Sequence, residues 1–250
     1  LSRGIPVAAL MALIVSCGGP RGSMDYPEPL PLAPHDTVFV SVPGGTFVTS
    51  TGDTVDISPF RLGRYEVTNR LYYSLAAEGG INLPPDPGFV GMTDYLIDFP
   101  GYPVVNVSAI EAEKAAALLG GRLPTLAEWE YAASLDVSGA PFEQYPWGIL
   151  APVDAGFPAN FLAGEEGWET RALDGYAWTA PVDSFPLTGS GFACQAGNVS
   201  EWTLSTDSMT LHCGGAWSSP AERITIGSHS SLAPGDRARH VGFRILLPGA

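Results

Sequence analysis

The sequence predicts an α+β domain with few helices, short strands and much irregular loop. Three observations carry this expectation. Helical start and stop signals are confined to residues 68–134. Strand-period alternation marks the region before them. The chain holds 30 glycines and 23 prolines in 250 residues, too many for a helical bundle and too few for low-complexity disorder.

The elements follow in order. Thr37 to Val42 alternates with the strand period and runs into Pro43-Gly44-Gly45, a turn that leads to Phe47 and Val48. Thr68 is an N-cap for a helix that stops at Gly79-Gly80. Pro103 to Val107 reads as a short buried strand. Ser108 and Glu111 form a capping box that opens a helix through Leu119, ended by Gly120-Gly121. Thr125 and Glu128 form a second capping box, with a helix through Ser134. Arg122 is expected to pair with Glu128 or Glu130, and the six tryptophans to anchor loops to the core. After Ser134 helical periodicity is nearly absent, and loops, aromatics and short strands fill the remainder up to GFRIL at 242–246. No second linker interrupts this pattern, so residues 36–250 read as a single domain.

The N-terminal stretch has a different character. Arg3 precedes an apolar run from Ile5 to Val15, too short to span a bilayer and suited to a signal peptide over residues 1–16. The tetrad Ile14-Val15-Ser16-Cys17 resembles a bacterial lipobox, which makes Cys17 the expected lipidation site and a membrane the expected partner. Residues 17–35 then form a Pro/Gly-rich spacer, extended at about 3 Å per residue. Gly18 after the cysteine favours an outer-membrane location, so the expected place is a bacterial cell envelope.

Charge excludes one class of partner. Twelve basic residues against 26 acidic ones give a formal net charge of -14, which leaves no basic surface for nucleic acid. Three cysteines are too few for a four-thiolate zinc site. The sequence lacks a P-loop, a Rossmann fingerprint and a GxSxG elbow.

Words along the whole domain match one family in order: VPGGTF at 42–47, PFRLGRYEVTNRLYY at 59–73, PVVNVS at 103–108, GRLPTLAEWEYAAS at 121–134, YPWG at 145–148, APVDSFP at 180–186, AGNVSEWT at 196–203, CGGAW at 213–217 and VGFRI at 241–245. The chain resembles the formylglycine-generating enzyme, or sulfatase-modifying factor, family. The resemblance implies a variant of the C-type lectin fold. It also implies, for the oxidases of the family, a copper(I) ion held by two thiolates just after the GGSW-like word. Here those two positions hold Ser219 and Ile224, neither a soft ligand, so copper is not expected. The implied function is a non-catalytic binding or scaffold module at the cell envelope, with a protein or surface ligand; the alternative is a formylglycine-generating or related oxidoreductase with an altered site. The iron-dependent branch of the family needs three histidines, and His35, His212, His229 and His240 show no ligand-like spacing. Residues 217–240 would be the variable stretch of a diversified ligand binder.

The resemblance bears on calcium and cysteine too. One family calcium site maps onto the side chains of Asn160 and Asp174 and the carbonyls of Phe161 and Tyr176. A second would use Gly197, Val199 and Glu201, but the further ligand position is occupied by Cys194, which weakens it. In an oxidising compartment a Cys194–Cys213 disulfide is the leading expectation, ahead of free buried thiols and a displaced copper site.

Overall fold

The structure is a computed structural model that describes residues 27–137, 141–156, 158–163, 173–204 and 208–249. The expected signal peptide at 1–16, the expected lipidation site Cys17 and the first part of the expected spacer lie outside the described residues.

A short 3-10 turn at Pro34–Thr37 delays the first strand, so β1 is Phe39–Val42 rather than starting at Thr37. β2 (Gly45–Val48) and β3 (Thr54–Ile57) make a two-stranded antiparallel ribbon. β4 (Phe60–Gly63) pairs antiparallel with β1 on one side and with the last strand, β9 (Leu246–Pro248), on the other. The two ends of the domain are thereby tied into one sheet.

The helices begin where their caps predict. In α1 (Asn69–Gly79) the Thr68 hydroxyl accepts from the Leu71 N–H, and Gly80, at φ 63°, returns its N–H to the Ala76 carbonyl. α2 (Tyr95–Asp98) is a single turn. The capping boxes of Ser108 with Glu111 and of Thr125 with Glu128 open α3 (Ala109–Leu118) and α4 (Leu126–Ala133). Arg122 forks onto Glu128 through Nη1 at 2.7 Å and Nη2 at 2.6 Å, choosing the capping glutamate over Glu130. Glu130 instead accepts from Ser50.

Residues 103–107 depart from the expected strand. Val104, Val105 and Val107 are buried, and Val104 donates its N–H to Val67, but the segment makes only an isolated bridge, Pro103 to Thr68. Asn106 explains the break: its φ of 59° turns the chain out of the extended region.

The last third carries a four-stranded sheet in the order β7 (His229–Leu232), β6 (Thr210–Cys213), β5 (Ser200–Trp202), β8 (Val241–Gly242). Its inner face meets the polar centre of the molecule. The wholly buried Arg244 donates to both carboxylate oxygens of Glu201, at 2.7 and 2.6 Å, and to the carbonyls of Gly63, Arg64 and Ala193. Trp129 adds its indole N–H to Glu201 at 2.7 Å. Glu66 accepts from the Asn198 side chain and the Val199 N–H alongside. One arginine thus joins strand β4, the loop at 193 and strand β5, and every Glu201 oxygen has a charged donor. Of the six tryptophans, Trp129 on α4, Trp202 on β5 and the loop residues Trp178 and Trp217 are buried, Trp147 is half-buried, and Trp168 lies outside the described residues. Among the described residues no helix is long and apolar enough to cross a membrane.

Candidate functional site

The outer face of the same sheet opens onto a pocket of about 240 Å³. Side chains alternate along a strand, so while Glu201 points inward its neighbour Ser200 reaches the pocket. Register supplies the rest: His212 on β6 lies opposite Trp202 on β5 and Ser230 on β7, and so shares their face. His229 starts β7, and His240 sits just before β8. The loop from Gly215 to Ser228 closes the other side with Ser219 and Arg223. Gly215 must be glycine there. Its φ is 66°, and a Cβ would stand 2.3 Å from the Arg223 carbonyl.

The Ser200 hydroxyl lies 2.7 Å from His212 Nδ1 and 2.9 Å from the Cys213 carbonyl. It has one hydrogen to give, so these contacts fix its position whichever acceptor takes it. His212 packs edge-on to Trp202, and its ring centre is 6.0 Å from that of His240. Burial, reinforced by His240 and His229, pulls the His212 pKa down to about 4. Burial and the neighbouring Arg239 lower that of His240 as well. At neutral pH both rings are therefore uncharged, each with one N–H and one lone pair. Arg223, on the 3-10 turn Ala221–Arg223, is exposed and forms no ion pair with the described residues.

Three of the four histidines that show no ligand-like spacing in the sequence thus line one pocket. His212, His229 and His240 meet because β7 pairs with β6 while β6 and β8 flank β5, a relation that linear spacing does not encode. The concentration of Ser and His in residues 228–231 was the available signal. His35 stays apart, beside Asp36 and Tyr65. No group of three or more His, Cys, Asp or Glu among the described residues is arranged to hold a metal ion.

The positions aligned with the thiol pair are structurally committed. Ser219 accepts from the Ala216 N–H at 3.0 Å and borders the pocket. Ile224 is fully buried in an apolar cluster with Ala159, Phe161, Ala163 and Ala196. A hydroxyl and a buried alkyl group do not fit copper(I).

The expected Cys194–Cys213 disulfide is not formed; both thiols are free and buried. They belong to different clusters, Cys194 with Ala180, Phe185 and Ala193, and Cys213 with Trp129, Ala133 and Ile226. Cys194 Sγ contacts the Val182 carbonyl at 3.7 Å. Burial pushes both thiols well above their ordinary pKa.

The first calcium set is brought together in part. Asp174 accepts the N–H of Phe161 at 2.8 Å and that of Tyr176 at 3.0 Å, which gathers three of the four residues. Asn160 is fully buried; its amide donates to Trp178 and Asn198, and its Oδ1 has no partner. In the second set, Gly197, Val199 and Glu201, the carboxylate has other partners. The Glu201 carboxylate is bonded to Arg244 and Trp129.

Comparison with known proteins places this architecture. The family described as "Sulfatase-modifying factor enzyme 1-like domain" matches residues 27–247. A formylglycine-generating enzyme from Thermomonospora curvata is 32% identical over 236 residues, covering 74% of this chain and 76% of that protein. A bovine protein named inactive C-alpha-formylglycine-generating enzyme 2 is 31% identical over 154 residues, covering 57% of this chain and 49% of that one. Among solved structures, PvdO from Pseudomonas aeruginosa superposes with a TM-score of 0.66 at 25% identity, covering 84% of this chain and 94% of PvdO.

Proposed function

The chain belongs to the sulfatase-modifying factor enzyme 1-like family, and from that premise we propose that it is a non-catalytic binding or scaffold module, lipid-anchored at a bacterial cell envelope. The observation that carries this reading is the pair Ser219 and Ile224 where the family's oxidases need two thiolates. A relative named as inactive supports this reading. The lipobox-like Cys17 and the spacer to residue 35 support anchoring, and would hold the domain away from the membrane surface for a protein or surface ligand.

The pocket on the outer face of the β7-β6-β5-β8 sheet is the binding site in this reading. Six of its nine lining residues come from residues 217–240, and none of the six bonds to Arg244. Calcium is proposed at Asn160, Phe161, Asp174 and Tyr176, supported by the unpartnered, buried Asn160 Oδ1 beside a loop gathered by one carboxylate. The ion would clamp that loop; chelation should lower the melting temperature of a calcium-loaded sample, and an unchanged melt removes calcium from the proposal.

The function is tested by incubating the protein with a sulfatase-motif CxPxR peptide, copper(I) and oxygen, followed by mass spectrometry. An unchanged peptide cysteine is the expected result. Sustained conversion to formylglycine overturns the proposal in favour of an oxidase with an altered site, the reading that the Thermomonospora curvata relative favours.

A further inference from the structure

The lining of the pocket is chemically one-sided. The chain carries 26 Asp and Glu residues and a formal charge of -14, yet none of these acids lines the pocket. What lines it instead is one arginine, three histidines, four serines and a glycine. In an acidic protein this is a local reversal of charge and a concentration of hydrogen-bond donors.

Those donors are partly uncommitted. Arg223 forms no ion pair with the described residues, so its forked guanidinium faces the pocket and solvent. Ser219 uses its oxygen to accept from Ala216 and keeps its O–H to donate. His212 is held in place by Ser200, with 6% of its surface exposed. The site is therefore built from a positioned, buried imidazole, not only from mobile surface groups.

We infer that this pocket binds a single small oxyanion, a carboxylate, sulfate or phosphate group on the ligand, with Arg223 as its charge partner, Ser219, Ser230 and His240 as neutral donors, and His212, held by Ser200, as a wall of the site. The inference rests on the binding-module reading and names the ligand chemistry of that site. Planar or tetrahedral oxyanions match a guanidinium fork, and the reduced dielectric beside buried His212 strengthens each bond. The volume of about 240 Å³ admits such a group with a few attached atoms. Beyond Arg223, Ser228 and His229 the cleft continues past Glu143 and Glu222. Those acids would repel a long polyanion, so the site selects an isolated anionic group.

The test uses the full chain in detergent, titrated with sodium phosphate, sulfate or acetate at constant ionic strength made up with sodium chloride. Histidine ring protons are followed by NMR and heats by calorimetry. The expected result is one saturable site that shifts the His212 and His240 resonances, with affinity at least tenfold weaker in Arg223→Gln. Arg223 is exposed, so that variant should keep its fold, as a matching melting temperature will confirm. Saturation by phosphate and sulfate alone identifies a tetrahedral group, and saturation by acetate alone a carboxylate. Resonances that move no further than in chloride, or an affinity unchanged in Arg223→Gln, overturn the inference. The two proposals fail separately: peptide conversion sinks the binding-module reading, whereas a silent titration with no conversion sinks only the oxyanion.

Discussion

Ser200 and Glu201 are adjacent on β5 and face opposite worlds. Glu201 turns inward, where Arg244 and Trp129 satisfy its carboxylate with donors at 2.6–2.7 Å. Ser200 turns outward to a pocket where His212 is uncharged and Arg223 forms no ion pair with the described residues. Both sides are rich in polar groups, but only one has them saturated. A saturated buried network specifies one arrangement of strands, because each missing bond would be costly. A pocket with spare donors specifies nothing until something arrives to take them. The difference separates what the family fold needs from what this chain is free to do with it.

The largest expected effect comes from breaking the inner side. Arg244→Met leaves Glu201 buried without its charge partner, and should destabilise the domain by about 3–5 kcal/mol. Urea denaturation measures it. The double variant Arg244→Met, Glu201→Met should recover part of that loss, because it also removes the stranded carboxylate. A single-variant cost below about 1 kcal/mol would mean that the centre is not saturated and would erase the contrast.

The two sides should also respond to pH with opposite signs. Glu66 lies wholly buried, and burial together with Glu201 pushes its pKa well up, against the smaller opposing pull of Arg244. A carboxyl with a raised folded pKa gives its full stability below the unfolded value of about 4.3 and loses it as pH rises through the folded value. His212 is displaced downward to about 4. Its unfolded form, with a pKa of about 6.5, takes up a proton first, so stability falls as pH drops from there toward the folded value. Glu66→Gln should therefore flatten the stability profile on the rising-pH side, and His212→Asn should flatten it between about 6.5 and 4. Chemical denaturation across pH 4–9, with wild type subtracted, reads both. Slopes of the same sign in the two variants would break the comparison.

What could be read in advance follows the same division. The three longer helices were legible because Thr68, Ser108 and Thr125 announce them locally, and the Arg122 pair was legible because its partner is the capping glutamate itself. The break at Asn106 was not, since a left-handed asparagine looks like any other in a run of valines. The cysteines were misjudged as a pair because sequence separation says nothing about which cluster encloses each thiol. The pocket was missed for a related reason. His212 meets Ser200 through the β5–β6 register and Ser230 through the β6–β7 register, so the site exists only once the strands are paired.

The smallest effect belongs to the outer side, and it is the one that makes the contrast quantitative. Ser200→Ala removes the hydroxyl that contacts both His212 Nδ1 and the Cys213 carbonyl. Deleting a side-chain hydrogen bond costs about 1 kcal/mol when water can take its place, and up to about 3 kcal/mol when the partners are left dry. The pocket beside Ser200 is open to solvent on its outer side, so water should fill the vacated position and hold the cost near the lower value. The same substitution frees the His212 ring to rotate, which should broaden its NMR resonances while the Arg244 centre keeps its strand pairing and its hydrogen-exchange protection. A loss comparable to that of Arg244→Met would place Ser200 in the structural frame, and β5 would then have two load-carrying faces and no functional one.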